Sequence, residues 1–242
     1  MLPDGHWGPP TSSVDWCEAN YRFSPYVAEF FNTLSSLAMV TVGIIGLLRH
    51  RKTLETRFLV AFVAIAVVGL GSAAFHATLR FELQMLDELP MLYLALVMVY
   101  ILLEIRPGRR YGRWLPIALA LHGVLVTALA TLTRGQLQFY VFHLSFGSLE
   151  LFALYRVVLL YRASENPRVR RLFWLGMGSY VLAVALWFVD LRYCDFLAVT
   201  LPGLGLPNPE LHAVWHVLVS FGFYLLVVLI AEVRLARRLG VG

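Results

Sequence analysis

The stretch "FLVAFVAIAVVGLGSAAFHATL", residues 58–79, runs eighteen positions without an ionisable side chain before His76 breaks it. At about 1.5 Å per residue, such a run makes a helix long enough for the hydrocarbon core of a bilayer. Its apolar residues are continuous and do not alternate, which argues against a barrel strand. The rest of the chain repeats the pattern. Seven candidate spans fall at about 27–48, 58–76, 86–104, 114–132, 137–160, 171–190 and 211–232, each near the roughly 17–25 residues a crossing needs. Of the 242 residues, 59% are hydrophobic and 14% charged, more apolar surface than a soluble domain of this size can hide. The expected fold is an all-α seven-transmembrane bundle forming one domain over residues 1–242.

The basic residues give that bundle a direction. Arg49, Arg51, Lys52 and Arg57 follow the first span, and Arg106, Arg109, Arg110 and Arg113 follow the third. Arg162, Arg168, Arg170 and Arg171 follow the fifth, and Arg234, Arg237 and Arg238 the seventh. The opposite connections hold only Arg22, Arg80, Arg134 and Arg192. The positive-inside rule then puts the N-terminus outside, in lumen or periplasm, and the C-terminus in the cytoplasm. The pI near 9.4 follows from this topology and is no sign of nucleic-acid binding. "MLPDGHWGPP" at the start is polar and turn-rich, so no cleavable signal peptide is expected.

Cys17 and Cys194, the two cysteines, both fall on the expected outer face, where an oxidising compartment lets them pair. The tempting "GLGS" (69–72) and "GMGS" (176–179) lack a preceding strand and a phosphate-binding lysine. Small residues that let membrane helices approach are the better reading.

Ionisable side chains at membrane depth usually face a bundle interior or a wet cavity. Here they are Glu29, His76, Asp87, Glu88, His122, His143, Glu150, Asp190, His212 and His216. His76 ends the second span on the outer side, where Asp87 opens the third and His212 and His216 open the seventh. His212 and His216 are four residues apart, so they share a helix face; Ser72 shares one with His76. Three imidazoles with an open fourth position are the ligand set of a catalytic zinc. The pair in "LHAVWHVL" lacks the glutamate of an HExxH protease, so the reading rests on all three histidines meeting at one depth. His122 and His143 are read as packing or cavity residues.

A second cluster lies in "VDWCEANYRFSPYVAEFFNTLSSL", residues 14–37, where Asp15, Glu18, Asn20 and Glu29 offer oxygen ligands. Hard cations such as calcium take six to eight oxygens, some from the backbone. The spacing alone favours an ordinary charged interfacial loop, with Asp15 or Ser24 capping a helix, over a cation site.

The blocks "DGHWGP", "SSVDWCEANY", "AEFFNTLSSL", "VVGLGSAAFHATLRFELQMLDELPM" and "LHAVWHVL" together resemble the alkaline ceramidases, seven-span amidases of a wider membrane hydrolase group that includes the adiponectin receptors. The resemblance covers nearly the whole chain. It implies zinc on His76, His212 and His216, with Ser72 and Asp87 as catalytic residues. It implies calcium on Asp15, Trp16 (through its carbonyl), Glu18, Asn20 and Glu29, within residues 1–25 and the start of the first span. It also implies a Cys17–Cys194 bridge. The expected reaction is hydrolysis of the ceramide amide to a sphingoid base and a fatty acid. The expected partners are a lipid substrate and the membrane, with no nucleic acid and no obligate protein partner. The expected location is an ER or Golgi-type membrane in a eukaryote and the inner membrane in a bacterium. Two rivals stay open: a hydrolase of another N-acyl lipid or a phospholipid, and a non-enzymatic seven-span receptor with structural zinc.

Overall fold

The structure is a computed structural model that describes residues 5–108 and 110–240; Arg109 of the basic set and Asp4 of the first quoted block lie outside them. Among the described residues there are seven long helices: α1 (Phe30–His50), α2 (Thr56–Thr78), α3 (Phe81–Leu103), α4 (Trp114–Leu132), α5 (Gly135–Arg162) and α6 (Pro167–Arg192), followed after a gap by the last. In the loop after α6, a π-helical turn (Phe196–Thr200) runs into the short α7 (Leu201–Gly203), and α8 (Leu211–Leu239) completes the set. All seven are long and apolar enough to cross a membrane. Among the described residues there is no strand, only an isolated bridge between Ser24 and Val27.

α2, α5 and α6 extend beyond their apolar windows at both ends, α8 runs on to Leu239, and α3 starts early. It begins at Phe81, five residues before the expected boundary, so Asp87 lies two turns inside it. Gln84 falls in that added stretch, and Glu88 follows it by one turn. Both are buried, and the Gln84 side-chain amide donates to Glu88 at 2.7 Å and to Gln138 of α5 at 3.0 Å. The Gln138 amide also donates to Glu88, and Ser13 donates its backbone N–H to Gln84 at 2.7 Å. A satisfied polar network can therefore sit in a helix that a hydropathy window truncates.

Local signals set the other ends. Asn166 caps α6 by accepting the Arg168 N–H at 2.9 Å, with Pro167 in the first helical position. α8 stops at Gly240, whose φ of +69° is the left-handed conformation glycine adopts freely.

The packing order is an open ring. α2 lies between α1 and α3, α8 packs on α1 and α6, and α4 and α5 pack on α3. α5 meets α6 only sparsely, and a cavity lined by Phe142 and His143 of α5 and Tyr180 and Trp187 of α6 lies between them. Close approach depends on small residues: a Cβ at Gly69 would lie 2.7 Å from the Val40 backbone nitrogen, and one at Gly176 3.0 Å from Leu226. Gly69, Gly71 and Gly176 thus belong to helix packing, while Gly178 faces open space. The largest core cluster joins Phe58, Phe62, Met98, Leu102, Phe173 and Leu229. Outward faces are apolar too, with Leu121, Val124, Leu144 and Leu151 exposed, as lipid-facing helices require.

Candidate metal centre

α2 brings His76 and α8 brings His212 and His216 to one end of the bundle. One ligand atom from each lies within 4.8 Å of the others, and all three residues are buried. Among the described residues this is the one such group of histidine, cysteine or carboxylate side chains. The four-residue spacing in α8 stacks its two imidazoles on one face, and their ring centroids are 4.7 Å apart. Those of His76 and His216 are 5.0 Å apart.

Each imidazole is held from behind. Glu29 contacts His76 Nδ1. Ser35 Oγ pairs with His216 Nδ1 at 2.8 Å. His212 is sandwiched between indoles, stacked on Trp16 at 3.8 Å and on Trp215 at 5.0 Å. Such outer partners fix ring orientation and tautomer in metal sites. On the inner side, His76 Nε2 and His212 Nδ1 are buried with no hydrogen-bond partner. His216 Nε2 has only Ser72 Oγ, at 3.3 Å. Buried ring nitrogens without partners are costly unless something else satisfies them. Neutral imidazole donors at this spacing suit a borderline-soft divalent cation such as zinc.

Ser72 is buried beside the cluster and also pairs with Ser36 Oγ at 2.9 Å. Asp87 is absent from the three-histidine group but lines a cavity of about 210 Å³ together with His212, Trp215, Glu88 and Phe142. His143 faces that cavity as well, stacked 3.9 Å from Phe139 and accepted into an aromatic wall with Trp187, in keeping with its reading as a cavity residue. A second, more apolar cavity of about 120 Å³ shares Met91, Phe146, Glu150, Tyr180 and Trp215 with the first. Tyr180 donates its hydroxyl to Glu150 at that junction.

The N-terminal oxygens are more dispersed. Both Glu18 oxygens accept backbone N–H groups of α1, from Phe31 at 2.7 Å and Asn32 at 2.9 Å, so Glu18 caps that helix. Glu29 accepts the Trp16 N–H at 2.9 Å and the Asn32 amide at 3.1 Å while touching His76. Asn20 donates to both Asp15 oxygens, at 3.2 and 3.1 Å, and its own Oδ1 is buried without a partner. Asp15 is itself solvent-exposed, but the chain packed around its carboxyl and the neighbouring Glu29 charge push it up to about 6. Crowded carboxylates with an orphaned amide oxygen suit a hard cation. Glu210, at the start of α8, adds to the acidity; burial and then the Glu18 and Asp190 charges push it up to about 7.

Cys17 and Cys194 form a disulfide with Cα atoms 5.2 Å apart, tying the N-terminal segment to the loop after α6. Next to it, buried Asp190 accepts the Cys17 N–H at 3.3 Å and the His212 N–H at 3.2 Å. Asp190 thereby caps α8 from a neighbouring helix, since Glu210 at the N-cap makes no side-chain cap itself. Sequence reading listed Asp190 among the ionisable residues without a role and passed over Ser35 and Ser36. The regular spacing of "NTLSSL" on a first-span helix face was the available signal for the serines.

Fold and site together define a seven-helix protein of membrane-spanning type with a buried three-histidine cluster. The profile of the family described as Ceramidase matches residues 8–239. Similar curated proteins include alkaline ceramidase 3 of Mus musculus, 36% identical over 228 residues that cover 91% of this chain and 83% of the relative. The alkaline ceramidase of Arabidopsis thaliana is 31% identical, covering 90% of this chain and 82% of the relative. Alkaline ceramidase YPC1 of Saccharomyces cerevisiae is 31% identical, covering 95% and 79%. The chain belongs to the ceramidase family.

Proposed function

We propose that the chain is a zinc-dependent amidase working within the membrane, cleaving ceramide into a sphingoid base and a fatty acid. The observation that carries this reading is the set of inward-facing, unpartnered nitrogens of His76 and His212 beside His216, next to a cavity lined by Asp87. His76, His212 and His216 would hold the zinc, which when bound supplies Lewis acidity and a water acidic enough to attack near neutral pH. Amide cleavage also needs a proton moved to a poor leaving group. Asp87, on the cavity wall, takes the proton from the attacking water on its carboxylate and delivers it to the departing sphingoid amine. The Ser72 hydroxyl donates a hydrogen bond to the carbonyl oxygen as negative charge develops there. Glu29 and Ser35 keep two imidazoles oriented, and the Trp16 and Trp215 rings shield the third from water.

The two adjoining cavities supply an apolar path for lipid chains, and the sparse α5–α6 contact supplies an opening toward the bilayer. Asp15, the Trp16 carbonyl, Glu18, Asn20 and Glu29 would hold calcium, bracing the N-terminal segment against α1 and α2. The whole chain acts as one ceramidase unit. Its N-terminus faces lumen or periplasm, as the basic connections indicate, in an ER or Golgi-type membrane or a bacterial inner membrane.

Structural zinc sites are usually closed by four protein ligands. The cluster here has three, which favours catalysis over the receptor reading. Incubating purified protein with mixed lipids and separating the products by liquid chromatography tests the substrate. Sphingoid base and fatty acid released by the wild type and absent with His216→Ala support the proposal. Release from phospholipid alone would replace ceramide as substrate, and equal release by both proteins would remove the histidine site from the reaction.

A further inference from the structure

α2 and α3 meet backbone to backbone at one point beside the site. A Cβ placed on Gly71 would lie 1.9 Å from the Leu86 carbonyl oxygen, 2.5 Å from its carbon and 3.0 Å from the Asp87 nitrogen. None of these is the movable end of a side chain, so the gap cannot adjust locally. The reason the carbonyl is there lies four residues on. Pro90 sits inside α3 and has no N–H to return to Leu86, and its ring presses on that same carbonyl. The freed carbonyl turns toward α2, where only glycine leaves room for it.

The residues on either side of this contact are those of the site. Gly71 precedes Ser72 and lies five positions before His76; Leu86 precedes Asp87. The Gly71–Leu86 contact therefore sets how far the Asp87 carboxylate stands from the side chains that α2 carries into the site.

We propose that Gly71 and Pro90 are positioning residues: a proline-freed carbonyl docks on a glycine, and the dock fixes Asp87 at the distance proton transfer requires. This rests on the reading of Asp87 as the proton-transfer residue. The histidine cluster has anchors of its own: His212 and His216 belong to α8, and Glu29 holds His76. A methyl group on Gly71 must push the helices apart by roughly 1 Å, and misplacement on that scale costs on the order of 100-fold in rate.

The test measures kcat, KM and zinc content of purified variants in detergent. Gly71→Ala is expected to lose on the order of 100-fold in kcat with KM and zinc content near wild type. Asp87→Glu alone, which overreaches, is expected to lose activity as well. Combined, the longer glutamate spans the widened gap, so Gly71→Ala/Asp87→Glu recovers about tenfold over Gly71→Ala. A glycine needed only for packing would give losses that multiply. Pro90→Ala returns an N–H to Leu86 without adding bulk at the contact; it should fold readily and lose about tenfold in kcat at unchanged KM. If Gly71→Ala does not fold, Pro90→Ala decides by that same loss. Full kcat in Gly71→Ala or Pro90→Ala, or a double variant no more active than the product of the single losses, overturns the dock. Asp87→Asn separates the layers: an active Asp87→Asn overturns the role of Asp87 itself, whereas an inactive one beside a fully active Gly71→Ala overturns the dock alone.

Discussion

The histidine cluster and the N-terminal oxygen cluster adjoin, sharing Glu29 and the Trp16–His212 stack, yet they are assembled in different ways. The imidazoles come from two long helices, each ring is fixed from behind, and the inner nitrogens are left without partners. The oxygens come from a loop, and most are already engaged: Glu18 on α1 amides, Glu29 on Trp16 and Asn32, Asp15 on Asn20. A cation entering the first set needs little rearrangement, while one entering the second must displace hydrogen bonds. The helical set should therefore bind tightly and decide turnover, and the loop set should bind more weakly and tune it.

His76→Ala gives the largest expected effect, loss of detectable ceramide turnover together with loss of zinc, read by elemental analysis and product chromatography. Turnover at wild-type level would break the contrast outright. Glu29→Gln strikes the residue the two sets share. It should weaken zinc binding by about 10–100-fold and also remove any response to calcium. An effect on calcium alone would show that His76 needs no help from Glu29.

Glu18→Gln tests the loop set in its helix-capping role. Weaker acceptance of the two α1 amides should cost about 1 kcal/mol, seen as a lower Tm with zinc content unchanged. At the far end of the bundle, Glu55 meets Arg234 at 2.9 Å and Arg57 at 2.9 Å. Burial pulls its carboxyl up, but the Arg234 hydrogen bond and the two guanidinium charges outweigh it, and it titrates below the usual glutamate range. With a folded pKa below the unfolded one, its contribution is present at neutral pH and is lost as pH falls through the acidic folded value. Glu55→Gln should therefore cost under about 1 kcal/mol at neutral pH, less in acid, and leave turnover unchanged. A large loss of turnover there would couple the two ends of the bundle.

The seven helices were legible because apolar windows and basic connections are independent signals of the same topology. The start of α3 was not, because Glu82 and Gln84 lower the hydropathy of its first turn, and the Gln84 N–H groups are satisfied only by Glu88 and by Gln138 of another helix. The three histidines were legible because two share a helix face and the third shares their depth. Ser35 and Asp190 escaped for a different reason. Their value depends on where a serine of α1 meets a ring of α8, and on a loop path that brings the Cys17 and His212 amides to one carboxylate. Periodicity places residues on faces; it does not say which faces meet.

The central claim is most directly tested by zinc content measured alongside ceramide turnover on one preparation, before and after chelation and again after adding zinc. The expected result is about one zinc per chain, turnover lost with the metal and restored by zinc but not by calcium alone. Undiminished turnover in protein stripped of zinc would contradict it.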